Sequence, residues 1–116
     1  MFDLRLDPGE VIIWQGDHQN DVYIPVEGAL RWEVVGRDGQ LRNSGAIAIG
    51  EVFGEMSFLT ETPRNATVRA LEASRCLVLK SSELNILIHE YPAIIKKLAS
   101  VMVLRLARAN VARVQD

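Results

Sequence analysis

Cysteine, histidine and long apolar runs are scarce in this chain, and each shortage removes a class of function. Cys76 stands alone, so no internal disulfide can form, and a reducing compartment, the cytoplasm, is the expected setting. The two histidines, His18 and His89, lie far apart with no H-x-H pair, which leaves a metal-bearing β-barrel enzyme without its ligands. No nucleophile elbow, G-x-x-x-x-G-K-[ST] loop or cysteine pair is present, so neither an enzyme nor a bound cofactor is expected. The apolar stretches fall well short of a membrane span, and Asp3, Arg5 and Asp7 interrupt the region where a signal peptide would carry its apolar core. Export and membrane insertion are not expected. Charge of one sign is scarce too. A formal net charge of -2 with no single-sign block argues against a surface built to neutralise nucleic-acid phosphates or to lie on anionic lipid. An anionic ligand must be met by a local pocket.

What is present reads as one folded module. With 116 residues, 48% apolar and 24% charged, the chain can build a single hydrophobic core, and one domain over residues 1–116 is expected. Asp7-Pro8-Gly9-Glu10 is a turn signal before the β-rich run Val11 to Trp14, which Gln15-Gly16-Asp17 closes. Val22, Ile24 and Val26 alternate up to Gly28, and Leu30, Trp32 and Val34 alternate after it, giving two further strands. Pro25 removes an amide donor inside the first of these and implies a sheet edge or a bulge. Asp38-Gly39 is a hairpin signal, since both residues tolerate positive φ, and extended chain resumes from Leu41 to Ile49. Ala66, Val68 and Ala70 alternate again, and Cys76 to Leu79 is a last apolar strand in which Cys76 is an inert core thiol. The β-part is thus expected over about residues 7–80. Ser81 or Ser82 can cap a helix with Glu83 just inside, and helical spacing continues to Val114 with a break at Tyr91-Pro92.

Between the two β-regions, residues 53–70 read F-G-E-M-S-F-L-T-E-T-P-R-N-A-T-V-R-A. This stretch resembles the phosphate-binding cassette of the cyclic-nucleotide-binding domains of protein kinase A regulatory subunits and bacterial cAMP receptor proteins. In that family an F-G-E opening is followed, after a short helix, by a P-R-x-A-T-V close, and Gly54, Glu55, Arg64, Ala66, Thr67 and Val68 fall in step with it. P-G-E-V-I-I-x-Q-G-D at 8–17, Y-I-x-V-x-G at 23–28 and the tail with Tyr91-Pro92 extend the likeness over nearly the whole chain. The resemblance implies a mainly β fold, a double-stranded β-helix or jelly-roll-like β-roll, followed by the two C-terminal helices B and C. It also implies a ligand set of Gly54, Glu55, Met56, Ser57, Arg64, Asn65 and Ala66.

The chemistry of these residue types suits that assignment. A cyclic phosphodiester accepts a planar, two-pronged donor, which the Arg64 guanidinium supplies and an ammonium does not. Residues 54–60 are expected to form one or two helical turns whose first amides face an anion, with Gly54 leaving room for close approach. Glu55 is a carboxylate acceptor for a ribose 2′-hydroxyl. The backbone amides of Asn65 and Ala66 follow on, with the Asn65 side chain as an extra donor. Relatives more often carry a small residue where Asn65 stands, and a Thr there goes with the guanine ring, so cAMP is favoured and cGMP is the alternative. The loop at Ile47-Ala48-Ile49-Gly50-Glu51 keeps only one glycine of the family's frequent G-x-G.

The tail suggests a partner. From Leu98 to Ala107 the apolar residues cover more than one helical stripe, so an apolar face is left over, and the resemblance implies that this helix caps the ligand's base or pairs with its counterpart in a homodimer. The rival reading from another class is a nucleotide-free dimerisation or docking module of the same fold. No helix-turn-helix, kinase or membrane segment is visible, so any output domain is expected elsewhere.

Overall fold

A computed structural model of the chain describes residues 1–93 together with Lys96, Lys97 and Ser100. It divides after Ser81 into a β unit and a unit that begins at Ser82. In the β unit the strands are β1 (Phe2–Leu6), β2 (Val11–Ile13), β3 (Val22–Glu27), β4 (Leu30–Val35), β5 (Leu41–Ile47), β6 (Thr67–Ala70) and β7 (Ser74–Leu79), with a short helix α1 (Glu55–Thr60) between β5 and β6. They form two antiparallel sheets, ordered β1-β7-β3 and β2-β6-β4-β5.

Alternation explains why these segments pair as they do. Leu6 from β1, Tyr23 from β3, and Cys76 and Val78 from β7 point inward from one sheet. Ile13, Leu30, Ile47, Val68 and Ala70 point inward from the other, and Phe53 completes the cluster. Apolar residues two apart thus meet across the gap between the sheets, the expected solution for half-buried strands. Cys76 is fully buried there, and burial pushes its thiol up to about 11, with Asp3 adding to the shift. It is the inert core residue that its apolar strand implied.

Two turns fix the register. The Gly36–Gln40 hairpin closes with Gly36 N–H donating to the Gln40 carbonyl at 2.9 Å, and Gly39 takes φ 77°. Gly28, at φ 95°, follows β3, and a Cβ there would lie 2.6 Å from the Ser74 backbone, so the β3–β4 turn presses directly onto β7. Pro25 behaves as its chemistry requires. Among the described strands its strand pairs with β7 alone, at the sheet edge, and the register shifts between Pro25 and Glu27.

One boundary is corrected. The β-roll does not begin near residue 7, because Phe2–Leu6 pairs along its length with β7, from Phe2 opposite Val78 to Leu6 opposite Ser74. Asp3 and Arg5 alternate outward while Leu4 and Leu6 turn in, which is itself a strand pattern. Smaller shifts are that β2 stops at Ile13, leaving Trp14 exposed, and that β5 stops at Ile47.

The helix α2 (Ser81–Glu90) carries Glu83 in its first turn and His89 in its last, and ends before Tyr91-Pro92 as the proline demands. No helix of the described residues is long and apolar enough to cross a membrane. The longer helix expected up to Val114, and the dimer face assigned to Leu98–Ala107, lie outside the described residues.

Candidate ligand-binding site

The cassette is held at both ends by backbone pairing. At its start, Phe53 and Tyr23 exchange N–H···O bonds of 2.9 Å each, and their rings stack with centroids 5.2 Å apart. At its end, the Arg64 N–H donates to the Asp17 carbonyl at 2.7 Å and the Arg64 carbonyl accepts from Gly16 N–H at 2.8 Å. The Gln15 N–H then donates to Thr67 Oγ1 at 3.0 Å. The Q-G-D turn after β2 is therefore the bracket on which the P-R segment sits.

Between these anchors Gly54 N-caps α1 in the left-handed region, at φ 84° and ψ 0°, and Glu61 ends the helix at φ 55°. Only glycine fits the first position, for two reasons. The left-handed backbone disfavours a side chain, and a Cβ would lie 2.8 Å from Arg64 Nη1 and 3.0 Å from the Asp21 carbonyl oxygen. The close approach that Gly54 permits is to the guanidinium of its own chain.

Arg64 is buried, at 4% exposure, and its partners close the site. Nη1 donates to the Gly54 carbonyl at 2.8 Å and Nη2 to the Asp21 carbonyl at 2.7 Å, while Nη2 also donates to Gln19 Oε1. The guanidinium carbon lies 5.9 Å from the centre of the Tyr23 ring. Burial pulls the Arg64 pKa down, and Tyr23, Asp21, Asp17 and Glu55 pull the other way. An arginine stays charged at neutral pH regardless. Its Nε is buried with no hydrogen-bond partner among the described residues. Two backbone carbonyls hold it in the fold before any ligand arrives.

The remaining assigned residues separate by burial. Glu55 is fully buried and Ser57 nearly so, while Met56 and Ala66 are half-buried and Asn65 is exposed. Gly54, Glu55 and Arg64 are brought together, with Glu55 next to the Gly54 cap and close enough to act electrostatically on the guanidinium. Gln19 and Asp21 also take part, and no sequence pattern singled them out. Gln19, besides accepting from Arg64, donates through Nε2 to Tyr23 Oη at 2.5 Å and to Asp21 Oδ2 at 3.1 Å. Asp21 also accepts the Ser81 N–H at 3.0 Å through Oδ1, which ties the loop before β3 to the end of the β unit. Among the described residues no cluster of His, Cys, Asp and Glu is placed to hold a metal ion.

A buried cation with a donor to spare beside a buried carboxylate can take an anion that carries a hydroxyl group nearby. Comparison with known proteins identifies the family. The cAMP receptor protein of Thermus thermophilus is 34% identical over 110 residues, covering 94% of this chain and 51% of that protein. The crystal structure of the Thermus thermophilus catabolite activator protein superposes with a TM-score of 0.88 at 31% identity, over 96% of this chain and 52% of the other. A lysophospholipase of Aspergillus terreus is 30% identical over 103 residues, 89% of this chain but 7% of the enzyme. The chain thus spans about half of the bacterial relative and a small part of the fungal one. Residues 3–91 match the cyclic nucleotide-binding domain family along their length. With the antiparallel roll and the cassette in place, the chain belongs to the cyclic nucleotide-binding domain family.

Proposed function

We propose that this domain is a sensor for a 3′,5′-cyclic nucleotide, cAMP ahead of cGMP, and carries out no chemistry of its own. The observation that carries this reading is the Arg64 guanidinium, buried yet left with an unpartnered Nε beside the buried Glu55 carboxylate. The exocyclic phosphate oxygens take the planar donor of Arg64, and Glu55 accepts the ribose 2′-hydroxyl. Gly54, Met56, Ser57 and Ala66 line the rest of the cassette, and Asn65, which is exposed, turns its amide toward the phosphate. The base preference follows from the absence of a threonine at Asn65. Output passes to a partner or a further domain, with a homodimer through the C-terminal helix as the assembly, in the cytoplasm.

Calorimetric titration tests the reading. The protein binds one cAMP per chain more tightly than AMP, because the linear monoester carries additional charge and lacks the ring that presents phosphate and 2′-hydroxyl together. cGMP binds more weakly than cAMP. Absence of heat with both cyclic nucleotides at millimolar concentration overturns the reading in favour of a nucleotide-free docking module. Binding of cGMP alone overturns only the base assignment.

A further inference from the structure

Arg64 has five N–H donors, and three of them are spent on Gly54, Asp21 and Gln19, leaving Nε–H and one Nη1–H. A guanidinium can grip a phosphate with two parallel bonds from its end, through both terminal nitrogens, or from its side, through Nε and the adjacent Nη2. Both grips use Nη2, because it is one of the two terminal nitrogens and the one that lies on the same side as Nε–H. Both hydrogens of Nη2 already have acceptors, the Asp21 carbonyl and Gln19 Oε1. One must leave before a two-pronged phosphate contact can form.

The two acceptors differ in freedom. The Asp21 carbonyl belongs to backbone that leads directly into β3, and its side chain is fastened to the Ser81 N–H at 3.0 Å. Gln19 is an exposed loop residue whose acceptor sits on a rotatable side chain. Swinging out costs Gln19 its bonds to Arg64, Tyr23 and Asp21, and water replaces them on the exposed side.

We propose that Gln19 is a specificity-determining stand-in for the phosphate, its carboxamide oxygen holding the Arg64 donor so that a ligand must displace it. The inference rests on the proposed phosphate role of Arg64 and adds a residue outside the cassette to the site. Gln19 lowers apparent affinity by the population of the displaced state, and it discriminates against anions too weak or too narrow to replace it. A merely structural Gln19 would instead support Arg64, and its loss would weaken binding.

The experiment is calorimetry of cAMP binding to the parent chain, Gln19→Ala and Gln19→Glu, with the Gln19 side-chain amide followed by NMR in the parent. Gln19→Ala should bind about 10-fold tighter, the worth of one hydrogen bond to a charged group. Gln19→Glu should bind more weakly than the parent, because a carboxylate holds Arg64 more firmly and repels the phosphate. The Gln19 amide resonances should move to solvent-exposed positions at saturation. Unchanged or weaker binding by Gln19→Ala, with the parent still binding cAMP, overturns the stand-in role and leaves the cyclic-nucleotide reading intact. No binding by the parent or by Gln19→Ala overturns both, and binding by Gln19→Ala alone supports both.

Discussion

Replacing Arg64 with alanine is expected to remove most of the affinity for cAMP and to weaken the empty fold as well. A bound phosphate without its paired donor costs about 2–5 kcal/mol when the site is partly desolvated. That corresponds to a loss of about 30-fold or more in binding. The second effect follows from the burial of Arg64, because its removal strands the Gly54 and Asp21 carbonyls and leaves space behind. Losing hydrogen bonds to a charged donor should lower unfolding stability by roughly 2–4 kcal/mol. Urea unfolding without ligand reads this loss, and titration of the folded fraction reads the binding. Arg64→Lys separates the two, since an ammonium keeps the charge and a carbonyl bond but not the planar fork. It should recover part of the stability and little of the affinity. Parent-like cAMP binding by Arg64→Ala would remove the phosphate assignment.

Gly54→Ala is expected to be nearly as severe, although it adds a single methyl group. The left-handed backbone at φ 84° costs an alanine about 1–2 kcal/mol. The new Cβ, 2.8 Å from Arg64 Nη1 and 3.0 Å from the Asp21 carbonyl oxygen, must also push one of them aside. Overpacking of this kind adds about 1–3 kcal/mol. The guanidinium is the part that can yield, so it leaves its place beside Glu55 and cAMP affinity falls with stability. Urea midpoint and cAMP titration together check this. A stable Gly54→Ala protein that binds cAMP normally would show that the cap and the guanidinium do not share this space.

Much of the roll was legible because its strands alternate and its turns are marked by Gly28 and Asp38-Gly39. The first strand was missed for a physical reason. The Asp7-Pro8-Gly9 turn reads as a start, and the charges of Asp3 and Arg5 obscure the inward pair Leu4 and Leu6. The cassette was legible because its residues are close in sequence and fixed in spacing. Its surroundings were not, since Gln19 and Asp21 meet Arg64 across separations of 45 and 43 residues. No local pattern carries a contact of that length. The burial of Arg64 was hidden for a related reason, because arginine is seldom buried unless paired, and its partners are mainly backbone carbonyls that no side-chain pattern reports.

A crystal structure of the protein grown with cAMP tests the central claim most directly. The account predicts the exocyclic phosphate oxygens within hydrogen-bond distance of the Arg64 guanidinium and the ribose 2′-hydroxyl on the Glu55 carboxylate. Nucleotide bound elsewhere, with no contact to either side chain, would contradict it.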